Sequence, residues 1–565
     1  MTLFSSIQTA KNSLLVAQLG LQVTGNNIAN ANTPGYIRER LILNPQPPQR
    51  YGGHLVGLGV DAEGVVQVID RFLEERLRRA NSDLAGGEAL EHAYVQLEGL
   101  IGELSDTDLS TSLTDFFASI HDVLNQPESV SVRNLAVLEG QALTDDIRRL
   151  DSQAREIHQD LNGRIISTAD RINALLEDIA KLNGQIVEAE NSDVSASDAV
   201  GLRDKRSKVL AELASIVDIR TVEQEAGDVT VFSGGDYLVA GVNWRPVKVV
   251  HSTENGLSVA EIRITELDAP LVTTSGELAG LLAARDTVLG GFIEDLNSFT
   301  RTLLFEFNKV YAGGQGLAGY SSATSEFAVS DVAAALNQAG LEFSPVHGGF
   351  QILVKNEQTG LTKTTDIQID LDGLATDTSL TDLAAQLDAV DGIAAIVTPE
   401  GKLQIASDSN DVSFAFANDT SGILAALGIN TFFSGSSASD IGINAALRAN
   451  PRLFAASAGG IGEDSANATR LATLLTEPLA SHNGDSLAIL YDRLTGDVAQ
   501  GAAGARATTE GYRVFQRTLE GQHLAITGVN IDEEAVQMIA WQRAFQASAK
   551  VISTINELLE TLVNL

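Results

Sequence analysis

Residues 3–36 read LFSSIQTAKNSLLVAQLGLQVTGNNIANANTPGY. Leu3, Ile7, Ala10, Leu14, Ala17 and Leu21 alternate steps of four and three, and Thr24 and Ile28 keep the phase. An apolar stripe of that 3.5-residue period is a coiled-coil seam, and it requires a partner helix. The stripe stops at Asn32-Thr33-Pro34-Gly35-Tyr36. There Pro fixes φ at the first corner of a turn, and Gly accepts the positive φ that a type II turn requires at the second. Asn26, Asn27, Asn30 and Asn32 crowd the end of the stripe. Asn is a poor interior helix residue, because its side chain competes for backbone hydrogen bonds. Capping accounts for one or two of the four. The others suit bridging of backbone groups between neighbouring subunits without added charge.

The partner stripe lies at the other end of the chain. Met538, Trp541, Phe545, Ile552, Ile555, Leu559 and Leu562 share one seam, with Ser548 its polar member. Asn530 precedes Asp532, Glu533 and Glu534, carboxylates placed where they oppose the positive end of a helix dipole. Two stripes, each needing a partner, predict that the ends pair with one another.

Between them the periodicity changes several times. Pro45-Gln46-Pro47-Pro48 and Gly52-Gly53 exclude helix, and residues 55–68 read as short strand. Residues 70–125 are helical, with interruptions expected at Gly86-Gly87 and Ser105. A longer stripe runs from Leu143 through Leu161 and, after a one-residue slip, on to Ile186, as one long helix or a pair. Period two appears at 228–265, with turns at Gly234-Gly235 and Asn255-Gly256. Helix resumes over 277–311 and again over 485–525. Residues 320–430 are rich in Asp, Thr, Ser and Gly, with strand candidates at 350–354, 367–369 and 403–405. The fold class predicted is α+β and multidomain, with terminal coiled-coil helices, a long helical bundle shaft and β-rich central outer domains. The predicted division is a core of 1–35 with 530–565, a shaft of 36–315 with 440–529 carrying the hairpin region near 228–265, and a mixed α/β insert over 320–430.

Composition narrows the function. The chain has 565 residues, 44% of them hydrophobic, and carries a net charge of −36. Phosphates are held mainly by Lys and Arg, so neither nucleic acid nor an anionic membrane is an expected partner. There is no cysteine, which removes disulfides and thiolate metal sites. No run of 18 apolar residues suggests a membrane span, and Met1–Lys11 does not read as a cleavable secretory signal.

No catalytic constellation is found. The eight histidines form no HExxH, and neither a GxSxG elbow nor a GxxxxGK[ST] phosphate loop is present. Asp370-Leu371-Asp372-Gly373 has the start of a calcium loop, but the third acidic ligand and the closing Glu are missing. No enzyme activity, cofactor or metal is expected.

One resemblance is specific. Residues 24–36, TGNNIANANTPGY, resemble the amino-terminal signature shared by flagellar rod, hook and hook-associated axial proteins. Residues 528–534, GVNIDEE, and 541–552, WQRAFQASAKVI, resemble the carboxy-terminal one. Trp541 and Phe545 stand where Tyr is the commoner residue of that signature, which keeps the bulk. The ending LLETLVNL, the long helices at 130–190 and TFFSGSSASDI at 431–441 are similar to the hook-associated members.

The resemblance implies a secreted structural protein of the bacterial flagellum that passes unfolded through the export channel, with a chaperone and the export apparatus as partners. It implies assembly with copies of itself into a ring at the hook–filament junction. The hook protein would lie on one side of that ring and a second junction protein on the filament side. The assembly interface is expected at Leu3, Ile7, Leu14, Leu21, Asn26, Asn27, Asn30, Asn32, Pro34, Gly35 and Tyr36. Its counterpart comprises Asn530, Met538, Trp541, Phe545, Ile552, Ile555, Leu559 and Leu562. A hook or distal rod protein, and an axial protein with an adhesin role in the insert, are the alternatives.

Overall fold

The structure, a computed structural model, describes residues 3–51, 54–102, 108–190, 199–254, 256–374, 377–462 and 464–564. The side chains of Leu3, Phe4, Tyr51 and Leu562 lie outside that description, as do Ser105, Gly52-Gly53 and Asn255. The protein is an α+β multidomain chain. It divides into two compact units, one of residues 1–93, 159–285 and 503–565, the other of residues 94–158 and 286–502. The helices Arg71–Ile101, Val130–Glu190 and Leu487–Thr527 each contribute residues to both. Every strand pairing among the described residues is antiparallel.

The first unit contains the terminal helices Leu3–Asn30 and Ile531–Val563, with a bulged ribbon of Glu39–Pro45 against Val60–Gln67. The stripe at 143–186 belongs to one continuous helix of 61 residues, Val130–Glu190. In this unit that helix carries three asparagines about three turns apart, hence on one face. Each acts as an extra peptide group for a strand. Asn173 accepts from Val247 N (2.8 Å) and donates to Val247 O (2.9 Å). Asn162 accepts from Ala260 N (3.0 Å) and donates to Ser258 O. Asn183 accepts from Val229 N (3.1 Å) and donates to Val229 O (2.8 Å) and Gly241 O (2.9 Å). The amides satisfy strand groups that helix packing alone would leave buried and unpaired.

Gly86-Gly87 does not interrupt its helix, which runs unbroken over Arg71–Ile101. The pair makes a close crossing instead. A Cβ on Gly280 of the helix Gly276–Ala283 would strike Gly86 O, and a Cβ on Gly87 would lie 3.0 Å from Thr509 Oγ1. The stretch expected as helix over 277–311 contains a π turn, Ala284–Leu289, ahead of the helix Gly290–Ala312.

The second unit is built around an aromatic cluster of Phe116, Phe117, Phe307, Tyr311, Phe432, Phe433 and Phe454. A Cβ on Gly140 would stand 2.6 Å from the Phe432 ring, so the helix Val130–Glu190 can meet that ring only at a glycine. Asn308 repeats the peptide-mimicking bond, accepting from Phe432 N and Phe433 N (both 3.0 Å) and donating to Phe433 O (2.9 Å). Residues 312–429 share a separate core of two three-stranded sheets and the helix Leu380–Asp388, which is closed by a Ser379/Asp382 capping box. The segments 350–354, 367–369 and 403–405 are strands in those sheets.

Candidate assembly interface

The terminal helices pair with each other inside one chain. Three contacts give the register. Ser548 Oγ donates to Ser13 Oγ (2.9 Å), and the Trp541 indole lies on Gly20, where a Cβ would come within 2.5 Å of the ring. Asn27 Nδ2 donates to Glu534 Oε2 (3.2 Å). Each step of seven along one helix is a step of seven back along the other, which is the repeat of an antiparallel coiled coil.

The C-terminal seam is clean. Ile555 and Ser548 are buried, and Met538, Trp541, Phe545, Ile552 and Leu559 are partly buried, while most of the residues between them are exposed. On the N-terminal helix Ala10, Ala17 and Thr24 are buried, and Ile7, Leu14 and Leu21 are partly buried. Leu3 and Leu562 fall among the side chains that are not described. A second buried face, Asn12, Val16, Gly20, Val23 and Asn27, turns this helix toward the ribbon as well.

Asn27 is the centre of the arrangement. It is 1% exposed. Its oxygen accepts from Tyr36 Oη (2.8 Å) and Glu39 N (2.9 Å), and its amide donates to Glu39 O (2.9 Å) and Glu534. All four positions of this amide are therefore satisfied within the chain. Asn26 and Asn30 bond along the exposed helix end, Asn26 to Glu39 Oε1 (3.0 Å) and Asn30 to Asn26 O (3.0 Å), while Asn32 and Pro34 are exposed. Gly35, at φ 80°, and the bond from Tyr36 N to Thr33 O (3.2 Å) make the type II turn. That turn returns Tyr36 to Asn27. Asn530 caps the last helix by accepting from Asp532 N (3.0 Å) and Glu533 N (3.4 Å). Glu534, 1% exposed, is neutralised by Arg38 at 2.7 Å. Ser13, Gly20, Arg38, Glu39 and Glu534 complete the site and lie outside the stripe positions that a heptad reading selects.

Burial, then the Glu39 carboxylate, raises the Tyr36 phenol well above its ordinary range. The same two causes raise Asp204 from 3.8 to about 6, against bonds from Gln67 and the Ile37 backbone. In that window the folded chain keeps a proton that the unfolded chain releases, so stability falls as pH rises from about 4 to 6. Asp204→Asn should therefore stabilise the chain above pH 6, by about 1 kcal/mol after solvent screening, and lose that advantage below pH 4. Urea melts of both proteins at pH 4 and pH 8 would show it. An equal difference at both pH values would contradict the assignment.

Away from this site, the fold brings Asp377 to Asp370 and Asp372, with carboxylate oxygens within 4.8 Å of one another. Asp377 accepts from Gly373 N (3.0 Å) and Asp372 from Leu374 N (2.9 Å), so two of these carboxylates close a surface turn.

Comparisons with known proteins agree in order along the chain. Residues 7–36 match the Flagella basal body rod protein model, and residues 94–326 match the Flagellar hook-associated protein FlgK helical domain. Residues 520–565 match the Flagellar basal body rod FlgEFG protein C-terminal model. Flagellar hook-associated protein 1 of Escherichia coli is 25% identical over 580 residues, covering 99% of this chain and 100% of the relative. The protein of the same name from Bacillus subtilis is 24% identical, covering 99% and 98%. The flagellar hook junction protein FlgK from Burkholderia pseudomallei shares the fold, with a TM-score of 0.50 at 16% identity, over 80% of this chain and 100% of that chain.

Proposed function

We infer from these likenesses that the chain belongs to the flagellar hook-associated axial proteins and is a structural component of the bacterial flagellum, an adaptor between hook and filament. The observation that carries this reading is the pairing of the two ends. Segments similar to axial-protein signatures, more than 500 residues apart, form one antiparallel helix pair.

The outer surface of that pair is suited to other copies. The helix Leu3–Asn30 holds a single charged residue, Lys11, and residues 535–556 hold only Arg543 and Lys550, in a chain of net charge −36. Identical copies that meet on such faces avoid the repulsion that the rest of the surface would impose. On the side away from the seam, Val536, Ala540, Ala547, Val551 and Leu558 are exposed. Their steps of four and seven repeat every 11 residues, which keeps the row straight along a helix. The stripe residues hold the pair together, and this row, with the exposed Asn26 and Asn32 at the far end of the helix Leu3–Asn30, faces the neighbours. The proposed partners are further copies in a ring, the hook protein, the next junction protein toward the filament, and an export chaperone with its apparatus. No catalytic role is proposed, and none is described by the names of the relatives.

A strain lacking the chain should build hooks without filaments and release flagellin into the medium; normal filaments would refute the reading. Within the assembly, Val551→Asp should leave monomer melting unchanged and abolish the ring, because an unpaired buried charge costs several kcal/mol. Junctions of normal yield on electron micrographs would remove Val551 from the interface. The insert at 320–430 is proposed as an outer accessory domain. Its ends lie together, with Tyr320 Oη donating to Asn430 Oδ1 at 2.9 Å. Replacing residues 325–428 by a short Gly/Ser linker should therefore keep filaments and swimming. Bare hooks from a folded, exported variant would instead make the insert part of the ring.

A further inference from the structure

The segment 431–441 has a second side. Phe432 and Phe433 enter the aromatic cluster, while Ser434 and Asp440 turn toward a pocket of about 480 Å³ in the second unit. Gln141, Thr144 and Arg148 of the helix Val130–Glu190 form one wall, and Asn444 and Arg448 belong to another. Glu326 also lines it.

The walls are fixed before any ligand arrives. Asp440 Oδ1 accepts from Ser436 N (3.0 Å), Ser437 N (2.7 Å) and Ser437 Oγ (2.7 Å). Gly435 N donates to Glu326 Oε1 (2.8 Å). Gly435 sits at φ 86° with Asp440 O where a Cβ would be, so only glycine closes this turn. Asn444 Nδ2 donates to Thr431 Oγ1 (3.1 Å), and its oxygen accepts from Ala446 N (3.0 Å). Binding to such a frame orders few additional groups.

The charges at the pocket are the unusual feature. Acidic residues outnumber basic ones by 74 to 38, yet the guanidinium of the exposed Arg448 has no ion pair or hydrogen bond among the described residues. Arg148, with a side chain 46% exposed, pairs among the described residues only with Asp145 on its own helix. Oδ1 of Asp440 is committed to its turn. Burial holds Glu326 above the usual carboxylate range, with the bond from Gly435 opposing it. Two guanidiniums with spare donors therefore line a polar pocket in which one oxygen of each acid, Asp440 and Glu326, already accepts backbone N–H groups. A guanidinium fork matches a carboxylate in geometry as well as in charge.

We propose that this pocket binds a carboxylate side chain of an acidic polypeptide segment, held between Arg148 and Arg448. The site is independent of the terminal helix pair, and its failure would leave the junction reading intact. Fluorescein-labelled hexaglutamate, titrated with the full chain at low salt and followed by anisotropy, is the probe. The field of a chain at −36 repels such a peptide everywhere else, so binding reports a specific site. The wild type should bind, and Arg148→Gln with Arg448→Gln should weaken binding by at least about tenfold. Arg493→Gln, at a surface arginine paired with Asp485, should leave binding unchanged. No binding by the wild type, an equal loss in the Arg493 variant, or a preference for hexalysine would overturn the proposal.

Discussion

Gly20→Val should separate the terminal helices and leave the rest of the chain folded. Any Cβ at position 20 would lie 2.5 Å from Cδ2 and Cε2 of Trp541, well inside contact distance. Both backbones are helical there, so the clash can be relieved only by displacing the indole or the helix. Local propensity and packing predict opposite signs, which makes the position informative. Glycine to alanine in a helix interior gains about 1 kcal/mol from propensity alone. Overpacking a fitted site costs about 1–3 kcal/mol. Gly20→Ala should thus be mildly destabilising. Gly20→Val, with two more methyl groups and a weaker helix propensity, should cost about 3 kcal/mol or more. Gly25, in the same helix, has nothing within 4 Å of its missing Cβ. Gly25→Ala should accordingly stabilise by up to about 1 kcal/mol. The chain has two tryptophans, so a Trp244→Phe background isolates Trp541. Its emission should shift to the red in Gly20→Val, with faster proteolysis of both ends. If all three glycine variants were equally stable, Trp541 would not be seated on Gly20.

The terminal seams were legible because a 3.5-residue period is written into every turn, and neither stripe could be buried alone. The Pro34-Gly35 turn was legible because its backbone geometry demands those residue types. What escaped was pairing between distant segments. Gly20 has no local signature that distinguishes it from Gly25, since only Trp541, on the opposing helix, gives it a role. Gly86-Gly87 reads as a break by propensity, but a close crossing reverses that reading once Gly280 supplies the opposing backbone. The amides near residue 27 suggested bonds to neighbouring subunits. Asn27 finds all its partners in its own chain, because the turn at Gly35 brings Glu39 back to it. Asn162, Asn173 and Asn183 carry no local mark, because nothing near them in the sequence reveals that strands some tens of residues later present peptide groups to them.

Asn183 provides the most demanding case of that last device, and Asn183→Ala is expected to cost about 3–5 kcal/mol. Its side chain is fully buried. Besides its three bonds to Val229 and Gly241, its oxygen accepts from Arg206 Nη1 at 3.0 Å. Arg206 is buried too, and burial, then the neighbouring Arg203, pushes its guanidinium down to about 10. Alanine would strand Val229 N–H and Val229 C=O away from water, and would remove the bond to the partly buried Gly241 C=O. It would leave Arg206 with Gly227 O (2.7 Å) and a distant Glu223 (3.8 Å). Each orphaned buried group costs about 1–3 kcal/mol, which exceeds the gain of about 0.5 kcal/mol from alanine's helix propensity. Asn183→Asp separates polarity from geometry. It keeps the acceptor for Val229 N and Arg206, but turns a carboxylate oxygen toward two carbonyls that need a donor. It should be nearly as damaging as alanine, whereas a merely polar requirement would make it harmless. Asn173→Ala, at a partly exposed position where water can replace the lost bonds, should cost only about 1 kcal/mol. Urea melts of the three variants, compared at constant m-value, measure the series. Equal losses at 173 and 183 would mean that burial does not set the strength of these bonds.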